Sequence, residues 1–141
     1  MSHFYNKQMN IRQTTFKIDE KENIVQTILT HVDDKYLARL LLGDKIIGRC
    51  SIVNMPGNCG MVVSTELSID EPFRRKGLTQ IFRNQMYDIV KNDMHIRYII
   101  ATVLEDNVAE IGSSGKSGFN IIDNFVNNKT KHKIVIIGKK L

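Results

Sequence analysis

Gly77 follows three cations, Arg74, Arg75 and Lys76, and precedes Leu78-Thr79-Gln80, where an amphipathic run begins. Glycine between a strand end and a helix start lets the backbone turn tightly, and the first helical turn leaves several N–H groups without internal partners. The positive end of the helix dipole lies at the same place, so residues 75–80 form a cradle for a phosphate or pyrophosphate. Arg74, Arg75 and Lys76 raise the local potential. The same residues would also suit a plain tight connection with solvated charges, and taken alone they leave both readings open.

Other residues with chemical potential are less well placed. Gly115-Lys116-Ser117 resembles the end of a P-loop, Gly-x-x-x-x-Gly-Lys-Ser/Thr, but Glu110 stands where the first glycine is needed, and too little chain follows for the remaining parallel strands. Cys50 and Cys59 are too few for a disulfide framework and lack the partners of a zinc site. They read as reduced thiols of a cytoplasmic protein, and no metal site is expected. His31 and His95 have no visible partner, and packing is the default for the cysteines.

The elements that must position the Gly77 loop can be read from hydrophobic periodicity. Residues 61–69 form a long apolar strand ending before Pro72, which cannot donate to a sheet ladder. Leu78, Ile81, Phe82, Met86, Ile89 and Val90 share one helical face, with Gln80, Arg83, Asn84, Asp88 and Lys91 elsewhere. Residues 98–104 have the continuous apolar character of a strand buried on both faces. Strand, helix and strand make a βαβ unit with parallel strands and a right-handed crossover.

Around this unit, residues 10–16 read as a first strand, and Ile24, Val25, Ile28, Leu29 and Val32 recur at helical spacing behind Asp19 and Glu20. A short helix is expected there, although its β-branched residues would suit a strand equally. Residues 36–42 and 45–54, joined by Gly43-Asp44, read as a hairpin. Residues 107–114 form a short helix broken by Gly115 to Gly118, and residues 119–126 and 133–138 form a terminal hairpin.

The chain has 141 residues, 42% hydrophobic and 25% charged, without repeat, low-complexity tract or linker. That is one domain with a single core, preceded by a short N-terminal arm at residues 1–9. No stretch lacks charge for the ~20 residues of a membrane span, and the start lacks a signal-peptide apolar run. The net charge of +5 favours an anionic partner without choosing among nucleic acid, an acidic protein and a phosphorylated cofactor.

In this context Arg74-Arg75-Lys76-Gly77-Leu78-Thr79 resembles the acetyl-CoA signature of the GNAT superfamily of N-acetyltransferases, Arg/Gln-x-x-Gly-x-Gly/Ala. Residues 67–73 resemble the family's fourth strand and its exit, residues 45–50 its third, and Ile11-Arg12 its opening strand. Downstream, residues 103–107 are similar to the fifth strand and the asparagine after it, Gly118-Phe119 stands where the family has Gly-Phe, and residues 134–141 look like the last strand. Two positions depart from the pattern. Thr79 replaces a small Gly or Ala, and Ser114 stands where many members carry a tyrosine general acid.

The resemblance implies an α/β, acyl-CoA N-acyltransferase fold: a central mixed sheet, flanked by helices, whose fourth and fifth strands splay apart. It implies acetyl-CoA held by Leu67, Ser68 and Ile69 on the fourth strand, by Arg74, Arg75, Lys76, Gly77, Leu78, Thr79 and Gln80 in the loop and helix start, and by Asn107. The amine would attack the acyl carbonyl directly, with Glu66 as candidate base and Ser114 as candidate proton donor. The acceptor would be a small-molecule or protein amine, and the protein a monomer or homodimer. Two rival readings are a non-catalytic acyl-CoA-binding module, suggested by the missing tyrosine, and a nucleic-acid-binding protein, suggested by charge alone and lacking any reading motif.

Overall fold

In the computed structural model, which describes residues 9–57 and 60–141, and of Glu66 the backbone alone, five strands follow one another before the first α-helix. They are β1 (Met9–Ile18), β2 (Lys21–Val32), β3 (Lys35–Leu42), β4 (Lys45–Asn54) and β5 (Met61–Ile69), each antiparallel to the one before. The helix expected over residues 24–32 is therefore strand β2. Val25, Thr27 and Leu29 are buried while Ile24, Gln26 and Ile28 between them are less so, a period of two that the β-branched side chains favour. Asp19 and Glu20, read from sequence as the lead into a helix, are instead a two-residue turn with φ of 52° and 65°. Two consecutive positive φ values match the right-handed twist of a hairpin.

The Gly43-Asp44 hairpin forms as expected between β3 and β4. Beyond β5 a short 3-10 turn (Glu71–Phe73) leads through Gly77 into α1 (Leu78–Asp88), and one π turn (Ile89–Asp93) ends that helical segment. Strand β6 (Tyr98–Leu104) follows, then α2 (Val108–Lys116) and the hairpin β7 (Asn120–Val126) and β8 (Lys133–Lys140). The sheet order is β1-β2-β3-β4-β5-β6-β8-β7, antiparallel except for β5 beside β6. This is the expected mixed sheet. No helix among the described residues is long and apolar enough to cross a membrane.

Helix α2 runs through Gly115 to Lys116, further than expected. Gly115 and Lys116 thus lie in its last turn, where the dipole is negative and carbonyls rather than amides are free, so they cannot form a phosphate loop. Both helices lie on one side of the sheet. Gln80 and Arg83 of α1 bond Ser113, Glu110, Ser114 and Ser117, and the buried Leu29, Ala38, Ile52, Val62, Ile99, Val103, Val135 and Ile137 pack beneath them. The opposite face, with Leu37, Arg39, Ser51 and Thr65, carries no helix among the described residues and stays partly or fully exposed.

Candidate active site

Strands β5 and β6 pair only where Met61, Val62 and Val63 meet Tyr98, Ile99 and Ile100. Past that point they part, and a cleft of about 320 Å³ opens between them. Ser64, Thr65 and Leu67 line one wall, residues 101–104 the other, and Arg83, Tyr87, Asn107, Glu110 and Ser114 reach it from the helices. The splay expected from sequence is present.

A bulge in β5 shapes this opening. Ser51 pairs with Thr65, but the next pair is Arg49 with Ser68, so Glu66 and Leu67 together oppose Cys50. An extra residue of this kind bends a strand and re-aims its side chains. The backbone of Glu66 sits at that bend; its side chain lies outside the described residues. Leu67 borders the cleft and also a second cavity on the open face of the sheet. Ser68 faces that second cavity, and Ile69 is buried.

In the loop that follows β5, Gly77 is the N-cap of α1 with φ of +83°, and Arg75 before it is also left-handed at +61°. A Cβ at Gly77 would meet Phe16 Cζ at 3.4 Å. Among the described residues the amides of Arg75 to Gln80 make no backbone hydrogen bond, and no side chain caps the helix. These are the free donors that the sequence pattern implied.

The side chains of the loop divide their tasks. Arg74 Nε donates to Ile69 O at 2.8 Å, holding the loop to the end of β5. Lys76 lies 3.7 Å from the exposed carboxylate of Asp19, Arg75 is exposed, and Thr79 is half-buried. Leu78 is buried in the core, so only its backbone can face a ligand. Gln80 Nε2 donates to Ser113 O at 3.2 Å and its Oε1 accepts from Ser117 Oγ at 2.7 Å, fastening α1 to α2.

Ser114 is 2% exposed at the cleft floor. Its hydroxyl donates to Glu110 Oε1 at 3.3 Å and accepts from Arg83 Nη2 at 3.3 Å. Arg83, also 2% exposed, pairs with Glu110 and donates to Ser113 Oγ at 2.7 Å. Asn107 caps α2 by accepting from the Glu110 amide at 3.2 Å, and it borders the cleft.

Arg83, Tyr87 and Glu110 were not singled out as site residues by the sequence pattern. Arg83 falls on the helical face that periodicity assigns away from the core, yet it is buried because Glu110 neutralises it. Tyr87 lines the cleft beside Ser114, with its ring 5.7 Å from that of Phe119 and Lys139 Nζ 5.2 Å from its centre. Burial pushes its phenol up, with Arg83 opposing, so the proton is retained. The only sequence signal for the group is spacing: Arg83 and Tyr87, like Glu110 and Ser114, stand four apart on a helix and share a face.

Cys50 is closed off. Its sulfur contacts Ser64 Oγ at 3.2 Å and donates to Thr65 O at 3.4 Å, and burial pushes the thiol up to about 11. A thiol held protonated is a poor nucleophile. Cys59 lies outside the described residues.

No protein-family model and no curated sequence matches the chain. Solved structures do match. A GNAT family acetyltransferase from Elizabethkingia anophelis with acetyl-CoA bound is 12% identical, with 94% of this chain and 99% of that one covered and a TM-score of 0.66. The acetyltransferase of GNAT family from Streptococcus pneumoniae is 17% identical, covering 78% and 68%, with a TM-score of 0.66. A chimeric spermidine N-acetyltransferase from Vibrio cholerae and hSSAT is 12% identical, covering 78% and 68%, with a TM-score of 0.70. The likeness is one of fold: the chain has the mixed-sheet acyl-CoA N-acyltransferase architecture of these GNAT structures.

Proposed function

We propose that this chain transfers the acetyl group of acetyl-CoA to a primary amine by direct attack. The observation that carries this reading is the parting of β5 from β6, together with the free amides of residues 75–80 on the loop that follows β5 and is tied to its end by Arg74. A ligand with a pyrophosphate on those amides can run its pantetheine arm along Leu67, Ser68 and Ile69 and present an acyl group near the bulge. Asn107 borders the same cleft from the other wall. A structural neighbour with acetyl-CoA bound supports this choice of donor.

The amine nitrogen forms a bond to the thioester carbonyl carbon, the carbon–sulfur bond breaks, and the coenzyme leaves as a thiolate that takes up a proton. Glu66, at the bend of β5, is the proposed base for the incoming ammonium. Five hydroxyl-bearing residues line the cleft, Ser64, Thr65, Tyr87, Thr102 and Ser114, and the two that reach it from the helices, Ser114 and Tyr87, are the proposed candidates for protonating the thiolate. The Ser114 hydrogen is directed to Glu110, whereas among the described residues the Tyr87 phenol donates to no acceptor. Tyr87 is therefore the proposed donor in place of the tyrosine missing at position 114. Ser114 would act beside it through its bonds to Arg83 and Glu110.

Calorimetry with acetyl-CoA and an amine-library assay test the reading together. Micromolar or tighter binding with turnover of at least one amine is expected, for which a helix N-terminus with adjacent cations provides the charge-assisted contacts. Folded protein that binds no acetyl-CoA overturns it. Tight binding without acetylation of any amine would make a coenzyme-binding module the better description.

A further inference from the structure

The second cavity, about 460 Å³, lies on the face of the sheet without helices. Leu37, Arg39, Arg49, Ser51, Leu67 and Ser68 line it, with Cys50 beneath. Leu67 belongs to both cavities, so the β5 bulge is the partition between them. An acyl group delivered along β5 from the Gly77 loop reaches that partition from one side, which leaves the open face for the acceptor.

Two cations face each other in this cavity. Arg39 and Arg49 are directly paired across β3 and β4. Like charges at such a pair oppose folding. Arg49 is relieved by Asp70 at 3.0 Å, but among the described residues Arg39 has no hydrogen bond or ion pair. Among the described residues the cavity therefore sets two guanidiniums against a single nearby carboxylate, beside the bulge in β5. A planar guanidinium is suited to bidentate contact with carboxylate or phosphate oxygens.

We infer that this cavity is the acceptor site and that Arg39, assisted by Arg49, selects an amine whose molecule also carries an anionic group, a carboxylate or a phosphate. The inference rests on the acetyl-transfer reading above. Cationic polyamines, the acceptors named for one structural neighbour, would be repelled here.

The test uses the full chain with acetyl-CoA and matched acceptors: ω-amino carboxylates against their amides, O-phosphoethanolamine against ethanolamine, and spermidine. The expected result is that one anionic series exceeds its neutral partners by about tenfold in kcat/KM, a size set by one charged hydrogen-bond pair. The series that leads tells carboxylate from phosphate. Arg39→Gln should bring that ratio close to one by raising KM for the anionic acceptor, while the affinity for acetyl-CoA measured by calorimetry does not change. Equal or better use of neutral amines or spermidine overturns the inference, as does a ratio that Arg39→Gln leaves intact. Binding of the same acceptors to protein saturated with coenzyme A, followed by NMR, decides the case in which no amine turns over: anion-dependent binding lost in Arg39→Gln supports the inference, and its absence overturns it. Failure of acetyl-CoA itself to bind would instead strike the acetyl-transfer reading.

Discussion

Arg83 of α1 and Glu110 of α2 form an ion pair at the floor of the cleft, with the guanidinium fully enclosed and the carboxylate one-third exposed. Ser113 and Ser114 complete the guanidinium's hydrogen bonds. The pair ties together the two helices that reach the cleft, so its loss should be felt in stability and, if the proposed coenzyme lies there, in binding.

Removing one member of such a pair leaves the other charge uncompensated, and the penalty depends on which one stays buried. Glu110→Ala strands Arg83 in the interior and should destabilise the protein by about 3 kcal/mol. Arg83→Met leaves a carboxylate that can still reach water, and should destabilise by about 1 kcal/mol. Urea unfolding of both variants at pH 7 checks the order. Equal losses would mean that the guanidinium finds another partner or water.

Gly77→Asp should abolish measurable acetyl-CoA binding, because it brings a negative charge and a side chain to the position where phosphate must approach the backbone. The left-handed φ adds a folding penalty of about 1 kcal/mol, since an L side chain is strained there. Calorimetry and a thermal melt are needed together. A variant that melts a few degrees lower, remains folded and fails to bind is the expected outcome; retained affinity would move the ligand elsewhere.

The parts legible in the sequence were those with a strong period or an irreplaceable residue. Gly77 announced a turn into a helix, and the apolar runs at residues 61–69 and 98–104 announced the two strands that part around the cleft. Residues 24–32 were harder, because Ile24, Val25, Ile28 and Leu29 recur at helical spacing while the β-branched Ile24, Val25, Thr27 and Ile28 suit a strand. Pairing with β1 and β3 on both sides decides for a strand, and that is a long-range fact. The Arg83–Glu110 pair, the entry of Tyr87 into the cleft and the Arg39–Arg49 opposition were invisible for the same reason: each depends on tertiary placement or strand register, which local periodicity does not encode.

Arg12 of β1 grips the end of the helical segment, donating to Asp88 at 2.6 Å and Asp93 at 2.7 Å. These hydrogen bonds, with one from Asn10, hold the Asp93 carboxyl below the usual carboxylate range. A carboxyl depressed on folding contributes stability that is fully present above its unfolded pKa, near ~4, and is lost as the pH falls through the folded value. Wild type should therefore exceed Asp93→Asn in melting temperature at pH 5 to 7, with the gap closing below about pH 4. A gap independent of pH would mean that the asparagine acts by shape and not by charge.

The proton donor can be assigned by comparing three variants, because Ser114 and Tyr87 border the same cleft but are held differently. Tyr87→Phe removes only a hydroxyl, and the ring keeps its packing against Phe119 and Lys139. If the phenol protonates the departing thiolate, kcat should fall by about 10² with acetyl-CoA affinity unchanged, the signature of an interaction made only in the transition state. Ser114→Ala should fall less, since its hydroxyl acts through Arg83 and Glu110. Ser114→Tyr would place a phenol at the position where the resemblance to the acetyltransferase pattern implies one, and in the Tyr87→Phe background it should restore part of the lost turnover if the cleft accommodates the ring. The three turnover numbers, read alongside acetyl-CoA affinities from calorimetry, separate the cases. A larger loss in Ser114→Ala than in Tyr87→Phe would return the donor role to the serine, and no loss in either would require a water or the substrate's own proton to complete the reaction.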